Sequence, residues 1–303
     1  MTRGSMTRYV ATRLVQLVPV VVVIVVVNFL LIHLAPGDPT LYLIGDAPVS
    51  DELVAEVRAK MGLDKSLPEQ LLVYLADVAR GNLGYSYVSK APVTEVILAR
   101  LPATLLLMVS QYVLAIAAGL ALGVISARWQ GGALDTGVTL VSVIGYAMPV
   151  FWLGQILILV FALQLGWFPA QGMLSLRFDL TPWEYARDVA HHLVLPAVTL
   201  AFFNLAVIVR LTRANMLQVL RLEYVLFARS KGISERAVTW RHALRNAVLP
   251  VVAIAAVQLG FMLSGSIVIE SVFALHGVGY LGWESISKND FPVVQSVVLF
   301  LAT

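Results

Sequence analysis

Residues 223–250 read EYVLFARSKGISERAVTWRHALRNAVLP, a basic stretch set between two long apolar segments. It is too polar to cross a membrane and too regular to be an idle linker. Apolar side chains recur at helical spacing through Leu222, Val225 and Leu226, with Tyr224, Phe227 and Ala228 beside them, and again at Ala237, Trp240, Leu244 and Val248. Between the two sets stands Gly232, a natural helix stop because glycine takes left-handed backbone angles without steric cost. Ser234 is a candidate N-cap, and Glu235 sits well against the positive end of the helix that follows. The pattern predicts two short helices joined at a glycine and lying against a membrane face. The segments on either side are then the spans.

Composition agrees. The 303 residues are 59% hydrophobic and only 13% charged, with a mean hydropathy of +0.84, where a soluble domain carries roughly 25% charged residues. Five tracts, 14–37, 101–127, 136–176, 189–209 and 246–269, hold no Asp, Glu, Lys or Arg. Each exceeds the roughly 20 residues that a helix needs to cross a bilayer core. A sixth opens at Phe291 and reaches Thr303; a helix of that length rises only about 20 Å against a core of about 30 Å. The expectation is an all-α membrane protein of about six transmembrane helices, the sixth incomplete and continued in the natural chain beyond Thr303. The first tract is too long for a signal-peptide core, and no small-residue cleavage site follows it, so 6–35 reads as a retained helix. Met1-Thr2-Arg3 recurs as Met6-Thr7-Arg8, which marks 1–5 as a cloning remnant. There is no cysteine, hence no disulfide or thiolate–metal chemistry.

Basic residues choose the orientation. With the N-terminus cytoplasmic, 12 of the 21 bases fall inside, from Arg3, Arg8 and Arg13 through Arg128, Arg210 and Arg213 to the 221–245 cluster. Only Asp135, Glu223 and Glu235 of the 18 acids join them, which leaves nine bases and 15 acids outside. Outside then lie the long segment 36–100, with helical periodicity over 51–61 and 68–78 broken by Gly-Asn-Leu-Gly at 81–84, a second segment at 164–192 and a third at 270–290. A 65-residue connection is long for a plain loop and suggests a docking surface.

The basic stretch admits three readings. Its arginines could meet anionic lipid headgroups. It could be a DNA-reading helix-turn-helix, which would want a soluble domain away from the bilayer. It could also be a docking element that takes force from a cytoplasmic partner. The order Glu223, Ala228, Gly232, then His242-Ala243-Leu244-Arg245-Asn246 and Leu249-Pro250 resembles the EAA loop of bacterial ABC-importer permeases. The likeness is to the oligopeptide/dipeptide/nickel family, B-type subunit, whose loop reads close to E-Y-V-x-x-A-R-x-K-G. Gly37-Asp38-Pro39, Gly62-Leu63-Asp64, Arg100-Leu101-Pro102-Ala103-Thr104, Gly166-Trp167-Phe168-Pro169 and Phe273-x-x-His276-Gly277-x-Gly279 resemble the same family in the same order. Asn82 departs from it, standing where the family often has Asp.

That resemblance implies a type I ABC importer permease fold, with an extracytoplasmic loop over 36–100 and a core permease domain over 101–303 that carries a coupling loop at 220–249. It implies a heterodimer with a paralogous permease, two ATPase subunits and an extracytoplasmic substrate-binding protein, in a bacterial inner membrane with the N-terminus cytoplasmic. The implied ATPase-coupling residues are Glu223, Tyr224, Ala228, Lys231, Gly232, His242, Asn246 and Pro250, and the implied docking residues Asp38, Asn82 and Trp167. The implied cargo is a di- or oligopeptide, with nickel or another small solute as the alternative. The chain itself is expected to be no enzyme and to hold no cofactor, ATP and Mg being bound by the partner ATPases.

The residues alone also exclude chemistry. A P-loop needs Gly directly before Lys, and the five lysines follow Ala59, Asp64, Ser89, Ser230 and Ser287. Ion-coupled transporters keep ionisable groups near mid-membrane; the five complete tracts have no Asp, Glu, Lys or Arg, which argues against ion coupling although backbone carbonyls could bind sodium. Ser264-Gly265-Ser266 could suggest a buried nucleophile, but small residues at that spacing more often allow close helix packing. Adjacent His191 and His192 diverge by about 100° on a helix and do not readily share a metal. Gln111, Gln155, Asn204 and Gln258 are candidate pathway residues. They could line a wet path for a peptide backbone, or bond across helices at roughly 0.6–2 kcal/mol each. Gly119, Gly123, Gly145 and Gly154 read as packing contacts.

Overall fold

A computed structural model describes residues 3–34, 64–86, 88–175 and 179–302, with positions 52 and 55 besides. Helices dominate it. In chain order they are α1 (Arg3–Leu34), α2 (Leu67–Ala79), α3 (Val93–Arg128), α4 (Ala133–Ala147), α5 (Val150–Leu157, continued by a π-helical Ile158–Gln164), α6 (Pro182–Val219), α7 (Glu223–Ser230), α8 (Leu244–Val272), α9 (Val278–Ser287) and α10 (Phe291–Ala302). One antiparallel hairpin, β1 (Tyr85–Ser86) with β2 (Ala91–Pro92), precedes α3 in the register Tyr85↔Pro92. Among the described residues four helices are long and apolar enough to cross a membrane, and α4 with α5, taken as one bent span, brings the number to five. The apolar α10 occupies the place expected for the sixth.

The chain divides into two compact units, Met1–Leu101 with Leu281–Thr303, and Pro102–Tyr280. In the first, α1 packs along α10, and Asn28 donates to the Gln295 carbonyl at 2.8 Å. The helix expected over 68–78 is α2, opened by a capping box in which Glu69 bonds the Ser66 hydroxyl and amide. Those bonds hold the Glu69 carboxyl below its ordinary range. The helix expected over 51–61 lies almost wholly outside the described residues. β1 is pinned by the Ser86 hydroxyl, which donates to Asp290 at 2.5 Å. Helix α3 opens at Val93, inside the segment read as loop, because Glu95 and Arg100 are tolerated on its first turns.

The second unit is built on α6, the most enclosed of the candidate spans. Thr181 and Glu184 form its capping box, and the helix runs 38 residues, so that 182–192 continues a span rather than forming a loop. The charge-free tract 136–176 is not one helix either. It breaks at Met148 and Pro149, both extended (ψ 130° and 129°), and α5 leaves α4 at 109°. Proline disfavours helical angles in the residue before it and offers no N–H of its own, so the chain turns there. The four glycines are packing contacts. A Cβ on Gly119 would lie 2.6 Å from Ile208, one on Gly123 2.5 Å from Thr212, one on Gly154 3.2 Å from Phe273, and one on Gly145 would meet the Phe202 ring. Small residues let α3 and α6 approach closely, as helices in lipid must to gain dispersion contacts.

Candidate functional site

Helix α7 is short and two-faced. Val225 and Ala228 are buried with Val238 against Val219, Leu220 and Ile233, while Leu222, Leu226 and Phe227 face outward, Phe227 61% exposed. Glu223 opens the helix and is exposed. Gly232 closes off α7 at φ +74°, and Lys231 lies 4.4 Å over the Phe227 ring. Arg229 bridges the turn to Glu235 with two hydrogen bonds, 2.8 and 3.3 Å. Across the loop the Asn246 amide donates to the Tyr224 hydroxyl at 2.8 Å, and that hydroxyl reaches the His242 carbonyl at 3.4 Å. The fold thus gathers Tyr224, His242 and Asn246 into one contact and leaves Glu223 and Lys231 at the surface.

One expectation is corrected. The second short helix is not separate. Ser234 caps a turn, Glu235–Ala237, by accepting from the Ala237 amide at 3.4 Å. A π-helical Val238–Ala243 then leads straight into α8, and Pro250 lies inside that helix. Nothing between 235 and 250 breaks a helix before Pro250, and the membrane-spanning course simply begins early.

The candidate pathway residues scatter. Gln111, 2% exposed on α3, accepts from the Asn204 amide of α6 at 3.2 Å, so this pair bonds across helices. Gln155 is exposed, and the buried Gln258 Oε1 has no partner among the described residues. Of the residues expected to dock a binding protein, Asp38 lies outside the described residues. Asn82 holds the turn after α2, accepting from the Gly84 amide at 3.1 Å. Trp167 is exposed, its carbonyl bonded to His191 Nε2 at 2.9 Å. His192 turns instead to the Asp188 carbonyl at 2.8 Å, and the two imidazoles stand edge-on, 6.5 Å apart.

Sequence reading passed over the buried acids Asp135 and Glu270. Asp135 accepts from Arg213 Nε and Nη2 at 2.6 and 2.8 Å, from the Ser126 hydroxyl at 2.5 Å and from the Gly131 amide at 2.9 Å. It ties the α3–α4 connection to α6. Glu270, taken above as the start of an outer loop, is 0% exposed on α8. Its Oε1 accepts from the Thr104 hydroxyl and its Oε2 from the Tyr280 amide, each at 2.8 Å. The signal for both was the company they keep: each acid is followed within ten residues by Gly, or preceded by Ser, in a region otherwise poor in charge.

The chain matches the family model described as the binding-protein-dependent transport system inner membrane component over residues 119–303, and the N-terminal model of such membrane components over 6–108. It belongs to that family. Among similar proteins is the di/tripeptide transport system permease protein DppB of Pseudomonas aeruginosa (strain UCBPP-PA14), 40% identical, with 98% of this chain and 93% of the relative aligned. Others are the glutathione transport system permease protein GsiC of Pectobacterium atrosepticum, 40% identical over 98% and 92%, and the oligopeptide transport system permease protein AppB of Bacillus subtilis (strain 168), 38% over 98% and 93%. This chain is therefore a multi-pass inner-membrane component of a binding-protein-dependent transport system.

Proposed function

We propose that this permease carries di- or oligopeptides inward through a pathway formed with a paralogous permease, driven by two ATPase subunits below and fed by an extracytoplasmic binding protein above. The N-terminus is cytoplasmic, ATP and Mg are held by the ATPases, and the chain carries no cofactor. One observation supports the coupling most: α7 buries Val225 and Ala228 in its own fold and turns Leu222, Leu226 and Phe227 outward beside the charged Glu223 and Lys231. An apolar helix face with charged edges fits a groove on a partner. The peptide cargo rests on the three relatives' names, glutathione being itself a tripeptide. The test is uptake of radiolabelled alanyl-alanine into liposomes that hold the complete complex. ATP-dependent accumulation that needs the binding protein is expected; accumulation driven by an ion gradient without ATP would overturn the reading.

A further inference from the structure

Glu270 stands at the outer end of the helix that starts in the coupling loop. From residue 235 to Val272 the helical course is unbroken, roughly 55 Å at about 1.5 Å per residue. The carboxylate is wholly enclosed, yet it is met by donors on every side. Thr104 on α3 donates its hydroxyl, Ser266 adds another, and the amides of Gly279 and Tyr280 point at it from the first turn of α9. The Thr104 oxygen also accepts from the Val278 amide at 2.8 Å. Two of the first amides of α9, those of Val278 and Tyr280, are thus satisfied by one acid and its hydroxyl partner, with the Gly279 amide turned the same way. Those amides have no partner within their own helix, and a carboxylate there meets the positive end of the helix dipole.

The approach depends on missing side chains. A Cβ on Gly277 would lie 2.5 Å from Glu270 Cδ and Oε2 and from Thr104 Oγ1, and one on Gly279 3.0 Å from Oε2 and 2.8 Å from the Ile267 Cα. The corner between is drawn tight, with Ala274 at φ +49° and the Leu275 amide bonded back to the Glu270 carbonyl at 2.8 Å. A corner that needed only stability would do as well or better with apolar packing, because enclosing a charge costs solvation that its bonds must repay. What charge-assisted bonds add is direction, since several donors fix one geometry.

We infer that Glu270 carries the coupling loop's movement to the outer face, by fastening the far end of α8 to the first turn of α9 and to Thr104 of α3 so that the three move as one piece. This rests on the import reading for its driving force and adds the part that passes the motion on. Glu270 is a positioning residue; it need not touch cargo.

The test uses the complete complex in liposomes, with alanyl-alanine uptake and ATP hydrolysis measured on one preparation. Glu270→Gln keeps the shape but replaces one accepting oxygen with an NH2 donor, which must then face either the α9 amides or the Thr104 hydroxyl, and Thr104→Val removes the hydroxyl while the acid stays. Both should hold their ATPases and hydrolyse ATP, with peptide carried per ATP lowered roughly tenfold, the factor that corresponds to about 1.4 kcal/mol of coupling. Thr104→Ser, which keeps the hydroxyl, should restore the ratio. A second readout needs no cargo: a cysteine at exposed His276, in a chain with none of its own, should change reactivity toward an outside thiol reagent when ATP is added, and should stop changing once Glu270→Gln is introduced. If the unaltered complex carries no dipeptide, the import reading fails and the cysteine still judges the clamp. An unchanged peptide-to-ATP ratio in Thr104→Val, or a cysteine that still responds in Glu270→Gln, overturns the inference.

Discussion

Gly232 separates backbone strain from contact at the scale of one residue. Its φ of +74° is a region that side chains other than Asn and Asp enter at a cost, yet a Cβ placed there would meet nothing within 4 Å in this chain. Inside the protein, then, Gly232→Val suffers only the backbone penalty, on the order of 1 kcal/mol or more. Any loss beyond that comes from a partner surface that needs the open space. Gly232→Asn tolerates the angle, so it tests the space alone. The expected result is normal membrane levels for both variants, with ATPase attachment and dipeptide uptake lost in Gly232→Val. If Gly232→Asn is lost equally, close approach of a partner is the reason; if it transports normally, the turn's angle is. Normal uptake in Gly232→Val and Glu223→Ala together would leave a plain basic loop, whose arginines would then matter through total charge alone.

At the scale of helices, Asp135 and Arg213 hold the α3–α4 connection against α6. Asp135 is only 4% exposed and uses four hydrogen bonds, two of them from one guanidinium. Removing one member of such a pair strands the other, at about 3–5 kcal/mol, whereas removing both costs much less. Asp135→Ala should therefore melt at a clearly lower temperature in detergent, and Asp135→Leu with Arg213→Met should recover much of the loss; two independent, additive decreases would show that the pair is not coupled. These same elements mark where the sequence was and was not legible. Long runs without charge located the spans, because lipid tolerates little else. The rule treats every charge as a boundary, however, and so it placed Asp135 and Glu270 at span ends with no role. A carboxylate with enough donors is carried inside the protein, and of those donors Ser126 and the start of α9 lie about ten residues away, whereas Arg213 and Thr104 are distant in sequence. The bend at Met148-Pro149 was visible as a proline but hidden within an uninterrupted apolar tract. The turn around Gly232 was the most legible part, since its chemistry is local: Gly232 and Ser234 stand where the sequence put them, and only the helix after them runs on further than its spacing suggested.

For the whole molecule the quantity to measure is which face looks where. The proposed orientation rests on 12 bases against three acids on one side, with nine against 15 on the other. Basic residues beside an anionic cytoplasmic leaflet gain about 1 kcal/mol each, so an inverted chain would give up several such contacts at once. Absence of native cysteine makes a direct test clean. Lys65, exposed just before α2, and Arg236, exposed just after the Gly232 turn, take one cysteine each without disturbing the Ser66 or Ser234 caps. In spheroplasts an impermeant maleimide should label Lys65→Cys at once and Arg236→Cys only after the membrane is opened; the reverse pattern would invert the molecule and place the α7 face out of reach of any cytoplasmic ATPase. The two labels also bear on assembly. With the membrane opened, Arg236→Cys should react more slowly in the complete complex than in the permease without its ATPases, because an ATPase seated on Leu222, Leu226 and Phe227, as proposed, would cover the turn beside them. Equal rates would mean that the exposed face of α7 is not where the ATPase sits.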